Sequence, residues 1–186
     1  ATEAARDQIK LYCTNLADQI TRMRAQALEF FQEAQDRCNK ADSWGKLRIK
    51  DTAAFPRLYE LLGGLVIAWK DFLKQLTALN NAFGSLNSKQ VPNYDALAES
   101  LASYRMRASE TEIGLLSLAN PNLDDHALWI ENSQRVDAKN PGSTLCYAPV
   151  DVSQQLNQML YSTVPSIIFT SATLALRGSF KYFFGQ

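Results

Sequence analysis

Leu58-Tyr-Glu-Leu-Leu-Gly-Gly-Leu-Val-Ile-Ala-Trp-Lys-Asp-Phe-Leu-Lys-Gln-Leu-Thr-Ala-Leu-Asn-Asn-Ala-Phe83 sets large apolar side chains at Leu58, Leu62, Leu65, Trp69, Phe72, Leu76, Leu79 and Phe83, in alternating steps of four and three. That spacing holds them on one face of an α-helix, the seam of a rod packed nearly parallel to a neighbour. Pro56 suits the first turn, where its missing N–H has no intrahelical partner to lose. Gly84-Ser85 and the polar residues after it close the segment. Gly63 and Gly64 stand inside the rod and cost about 1 kcal/mol each relative to Ala. Either they permit a close helix crossing or they mark a kink.

The same steps recur on both sides of this segment. Upstream, Ile9, Cys13, Leu16, Ile20, Met23, Ala27, Phe30 and Ala34 form the seam of a long first helix, which Asn39, Asp42, Ser43 and Gly45 bring to an end. Downstream, Tyr94, Leu97, Leu101, Tyr104, Ala108, Thr111, Leu115 and Leu118 form a third seam, with Asn93 as N-cap and Asp95 in the first turn. Three seams predict three long antiparallel helices bundled over residues 1–120. Every seam residue reads as core packing, which holds the bundle together without a ligand. Between the first two helices, Lys46-Leu-Arg-Ile-Lys50 reads as extended, with Leu47 and Ile49 on one face.

After Asn120-Pro-Asn122 the apolar period changes from helical to strand-like. Leu128–Glu131 and Thr144–Tyr147 read as strands around a Lys139-Asn-Pro-Gly142 turn. Val152–Tyr161 reads as a helix capped by Asp151 or Ser153, and Ser166–Phe169 as a buried strand. Strand, helix and strand make a β-α-β unit. The expected fold class is α+β, mainly α: a helical domain over 1–120 and a small, incomplete α/β piece over 121–186.

Composition limits the functions open to the chain. Its 186 residues, 46% apolar, are enough for a buried core and argue against disorder. Nineteen basic and nineteen acidic side chains cancel, so any contact with a nucleic-acid backbone must come from a local cluster. The apolar run around Leu61–Trp69 is too short to span a bilayer. No cationic and apolar leader opens the chain, which points to the cytoplasm. Cys13, Cys38 and Cys146 are odd in number and widely spaced, and read as reduced packing residues rather than a disulfide or metal framework. His126 is the only histidine, so a His-based metal site or a catalytic dyad is not expected, and it reads as a surface residue. Asp124 and Asp125 adjoin but lack a third ligand.

Ala148-Pro-Val-Asp-Val-Ser-Gln-Gln-Leu156, then Ser166-Ile-Ile-Phe-Thr-Ser-Ala-Thr-Leu174, then residues 177–184 (Arg-Gly-Ser-Phe-Lys-Tyr-Phe-Phe) follow one another in a telling order. This series resembles the third helicase motif of the DinG-type branch of the XPD-like DNA helicases. In that family a P-loop and an Asp-Glu-x-His box lie upstream, and a mostly helical insertion, the arch, separates the box from the Ser-Ala-Thr motif inside the first of two RecA-like motor domains. The resemblance implies that residues 1–120 are the arch and 121–186 part of the first motor domain. The opening Ala1-Thr-Glu-Ala-Ala-Arg-Asp7 resembles the residues shortly after the box.

The chain contains no G-x-x-x-x-G-K-[ST] loop, so this piece alone is not expected to hydrolyse ATP. ATP and Mg²⁺ would bind elsewhere in a parent protein, where an iron–sulfur cluster before the box is a further possibility; this piece would hold no cofactor. The implied activity of the parent is ATP-driven DNA unwinding with translocation along single-stranded DNA. Its partners would be single-stranded DNA and the remaining motor domains, with no membrane involved.

By this resemblance Thr170, Ser171, Ala172, Thr173 and Leu174 form the coupling loop between the nucleotide site and the DNA groove. Its short hydroxyls would bond the acidic box while Ala172 keeps the loop thin. The alternative is a Ser/Thr turn capping the next helix. Lys46, Arg48 and Lys50 alternate with Leu47 and Ile49, so an extended chain sets three cations on one face. They would contact single-stranded DNA, or guard an exposed edge strand against unwanted pairing. Trp44, Tyr94 and Tyr104 could stack on bases, although the seam favours core burial for the two tyrosines. A rival reading of the whole is a helical-bundle adaptor for protein interactions, with no enzymatic role; a third is an arch that gates the DNA path by hinging near 40–50 and 120.

Overall fold

A computed structural model describes residues 2–41, 45–132 and 142–168. Helix α1 runs Thr2–Lys40, strand β1 Lys46–Ile49, helix α2 Pro56–Gly84 and helix α3 Tyr94–Ala119. Strands β2 and β3 follow at His126–Asn132 and Ser143–Pro149, then a short helix α4 at Ser153–Leu156. The protein is α+β and mainly α, with one three-stranded antiparallel sheet in the order β1-β2-β3.

At 39 residues α1 extends roughly 58 Å at the α-helical rise. Helix α2 packs against both α1 and α3. Its seam behaves as its spacing demands: Leu58 and Leu62 are each 1% exposed, Leu65, Leu76, Leu79 and Phe83 are buried, and Trp69 and Phe72 half-buried. Pairing along the rods is antiparallel. Gln19 Nε2 donates to the Ala68 carbonyl at 3.2 Å, while Arg57 of α2 pairs with Glu29 farther along α1. Phe83 stacks on Tyr94 with ring centroids 5.0 Å apart, and Trp69 reaches Ala108.

Two seams depart from expectation. On α1, Leu16, Met23, Phe30, Ala34 and Cys38 are buried, but Cys13 and Ile20 are exposed. On α3 only Ala108 is fully buried, and Leu97, Tyr104 and Thr111 lie open. The reason is that these helices bury a face only where α2 or the sheet covers it. Gly63 and Gly64 serve no close crossing either, because a Cβ at either position would meet nothing within 4 Å.

Short-range chemistry sets the joints. Gly45 takes φ +74, and its carbonyl accepts the Asn132 N–H at 2.8 Å, which opens β1. Asp51 Oδ1 accepts the Ala53 N–H at 2.9 Å in the turn leading to Pro56. Asn93 precedes α3 but does not cap it: its φ of 55 is left-handed, which Asn tolerates, and its side chain makes no capping bond.

The core under the sheet gathers Phe30, Ala34 and Cys38 of α1, Leu58 and Leu62 of α2, Ile49 of β1 and Leu128 and Ile130 of β2. The strands read at Leu128–Glu131 and Thr144–Tyr147 are present, as is the extended segment at Lys46. Their alliance is different from the one expected. β2 pairs with β1, and the compact unit that holds the three helices runs from Ala1 to Ala148, with a second unit from Pro149 to Gln186.

In that second unit the helix read at Val152–Tyr161 is present as α4 followed by a π-type turn over Asn157–Tyr161. Asp151 Oδ1 accepts both the Ser153 hydroxyl, at 2.6 Å, and the Ser153 N–H, at 2.8 Å. Those two bonds, the hydroxyl first, hold its carboxyl below the usual range. The strand expected at Ser166–Phe169 does not form over 166–168, and Ile168 is 87% exposed. Among the described residues no strand pairs with this segment to take its backbone groups, and an unpaired strand is not stable in water. No β-α-β unit is completed among the described residues. Phe169 and the residues beyond it lie outside them.

Candidate nucleic-acid face of the sheet

Period-two alternation decides which side chains leave the core. In β2, Leu128 and Ile130 point to the helices, so Trp129 and Glu131 take the outer face. In β1, Ile49 and Leu47 point inward and Lys46 and Arg48 outward. The antiparallel register sets Lys46 opposite Glu131 and Arg48 opposite Trp129. Thus two of the three cations singled out from sequence share a face with an aromatic ring, and Lys50, exposed, follows the end of the strand.

One carboxylate organises this face. Glu131 Oε1 accepts from Lys46 Nζ at 2.6 Å and from Trp129 Nε1 at 2.7 Å. The Lys46 bond, and then the indole bond, hold the Glu131 carboxyl below its ordinary range, and the same contact raises Lys46. Both charges are open to water, so the pair fixes geometry more than it stabilises the fold. Half-buried Trp129 is thereby held in place. Cys146 of β3 lies within the field of Glu131 and Lys46, and burial is the main cause of its raised thiol. A raised thiol is a poor nucleophile.

Among the described residues β1 pairs on one side, with β2, which is where edge-guarding cations would serve. Thr170, Ser171, Ala172, Thr173 and Leu174, the expected coupling loop, lie outside the described residues, as does Trp44. Tyr94 is half-buried against Phe83, whereas Tyr104 is 60% exposed, against the expected core burial. All three cysteines are free; Cys38 is buried, but Cys13 is exposed on α1 rather than packed.

His126 is not a surface residue as expected. It is half-buried and stacks on Tyr147, centroids 4.5 Å apart and planes within 9°. Asp125 is engaged locally, accepting from Asn122 Nδ2 at 2.9 Å. Among the described residues no group of three or more His, Cys, Asp and Glu side chains is placed to hold a metal ion, and no helix is long and apolar enough to cross a membrane.

Sequence reading missed Trp129 because it was visible only as one residue of a strand. The alternation Leu128, Ile130 against Trp129, Glu131 was a usable signal for its face. Its register against Arg48 was not, since the two lie far apart in the chain. Compared with known proteins, the chain matches no protein-family model, no curated protein and no solved structure.

Proposed function

We propose that this chain is the arch and the adjoining third-motif end of the first motor domain of a cytoplasmic, DinG-type ATP-dependent DNA helicase, working on single-stranded DNA. The observation that carries the reading is the order of Ala148–Leu156, Ser166–Leu174 and the segment 177–184 in the sequence. An array of long helices is in keeping with an arch, and the cations of β1 beside an outward tryptophan suit a single strand. ATP and Mg²⁺ belong to other parts of the parent protein. In this reading Thr170, Ser171 and Thr173 pass the state of the nucleotide to the DNA groove through hydroxyl hydrogen bonds.

The test is made on the protein encoded by the whole reading frame. It should hydrolyse ATP in response to single-stranded DNA and unwind duplexes, and Thr170→Ala with Thr173→Ala should retain hydrolysis while losing unwinding. A frame with no P-loop upstream of Ala1, or a product with no DNA-stimulated hydrolysis, rules the reading out.

A second reading, the protein-interaction adaptor, draws on one specific feature. A groove of about 480 Å³ runs between α1 and α3 over α2, floored by Leu16, Trp69, Phe72 and Leu76 and edged by exposed Ile20 and Tyr104. An unrelated domain upstream would favour this reading over the motor.

A further inference from the structure

The geometry points to the outer face of the sheet as a base-stacking platform, with Trp129 as the stacking surface for a base of single-stranded nucleic acid and Arg48 and Lys50 as the contacts to its phosphates. This deepens the single-stranded DNA reading and rests on it. Three observations carry it. Trp129 and Arg48 are cross-strand partners on the face turned away from the core. The indole is not free to swing, because its Nε1 donates to Glu131 Oε1 at 2.7 Å and Glu131 is itself held by Lys46 at 2.6 Å. A ring already fixed loses little freedom when a base settles on it.

The third observation is charge. Lys46 cancels Glu131 on this face, and the nearby Asp51 carboxylate is turned to the Ala53 N–H. That hydrogen bond leaves Asp51 charged, so Arg48 and Lys50 against Asp51 leave one net positive charge beside the ring, in a chain whose total charge is zero. That complementarity selects a polyanion carrying exposed bases. Duplex DNA offers the anion but keeps its bases stacked inside, so single strands should be preferred. Lys46 and Glu131 are positioning residues: they orient the indole.

The experiment measures anisotropy of a fluorescein-labelled oligo-dT against the chain across a salt series, with unlabelled duplex as competitor. Trp129→Ala is expected to weaken binding roughly 5- to 150-fold, the span of base–aromatic stacking, while Trp129→Phe keeps most of it. Arg48→Ala is expected to reduce the slope of log affinity against log salt by about 0.7, one phosphate contact on a single strand. Lys70→Ala, an exposed cation of α2 outside the sheet, should change nothing.

Binding that persists unchanged in Trp129→Ala and Arg48→Ala overturns the platform and leaves the helicase reading standing. No binding of oligo-dT by the unaltered chain overturns the platform and the single-strand partner together. Should Trp129→Ala unfold by circular dichroism, Trp129→Phe and the surface change Arg48→Ala decide the matter. An unchanged salt slope in Arg48→Ala then counts against the platform, and a reduced one supports it.

Discussion

Trp69 Nε1 of α2 donates to the carbonyl of Ala108 in α3 at 2.8 Å, at the one fully buried residue of α3. The small side chain of Ala108 lets the indole come close enough to bond the backbone, so the contact is both polar and steric. Elsewhere α3 rests lightly, with Leu97, Tyr104 and Ile113 open to water. Trp69→Phe should cost about 1 kcal/mol through the lost bond. Ala108→Leu should cost about 1–3 kcal/mol through overpacking. Amide hydrogen exchange over 94–119 should quicken in both while α1 keeps its protection; equal loss in all three helices would contradict this account.

Core substitutions should separate the helices by their burial. Leu58→Ala and Leu62→Ala, at sites each 1% exposed, should cost about 2–5 kcal/mol in urea unfolding. Leu97→Ala and Tyr104→Ala sit on the same kind of heptad seam yet should stay within about 0.5 kcal/mol, since both are exposed. Similar losses at all four positions would mean that the α3 seam is covered after all.

Gly63 and Gly64 lie within α2 with open space where a Cβ would stand. Gly63→Ala and Gly64→Ala should therefore each stabilise the fold by roughly 1 kcal/mol, the helix-propensity difference. A fall in melting temperature in either variant would revive the close-crossing interpretation.

Tyr59 packs against the sheet-side core with its hydroxyl buried and without a hydrogen-bond partner among the described residues. Burial pushes its pKa from the ordinary 10.0 up to about 12. The neutral phenol is the form the fold accepts, so its contribution is intact below pH 10.0 and is lost as pH rises through about 12. Tyr59→Phe should be neutral or stabilising by about 1 kcal/mol at neutral pH, because it removes an unsatisfied group. It should also lessen the alkaline loss of stability, read from melting temperature against pH. A variant less stable than the parent would show that the hydroxyl has a partner in solution.

Periodicity made much of this architecture legible. The seam from Leu58 to Phe83 is buried or half-buried along its whole length because α2 has a neighbour on both sides, which is the condition a heptad pattern describes. The identical pattern on α3 misled, since Leu97 and Tyr104 have the spacing of core residues without a helix to cover them. Cys13 and Ile20 on α1 misled for the same reason. Of the candidate face, the cations at 46, 48 and 50 could be found by alternation. The ring beside them could not, because pairing between β1 and β2 joins residues some eighty positions apart.

By itself, then, the sequence determined where the three long helices and strands β1 to β3 form: steps of three and four, alternation by two, and the glycine and proline punctuation are local properties that the backbone obeys before any distant contact is made. Only the tertiary structure decided which of those faces are covered, that β2 joins β1 beneath α1 and α2, and that Arg48 meets Trp129 across the sheet. The physical reason is that burial and register depend on partners remote in the chain, and a pattern of side chains states a capacity to be covered without naming what covers it.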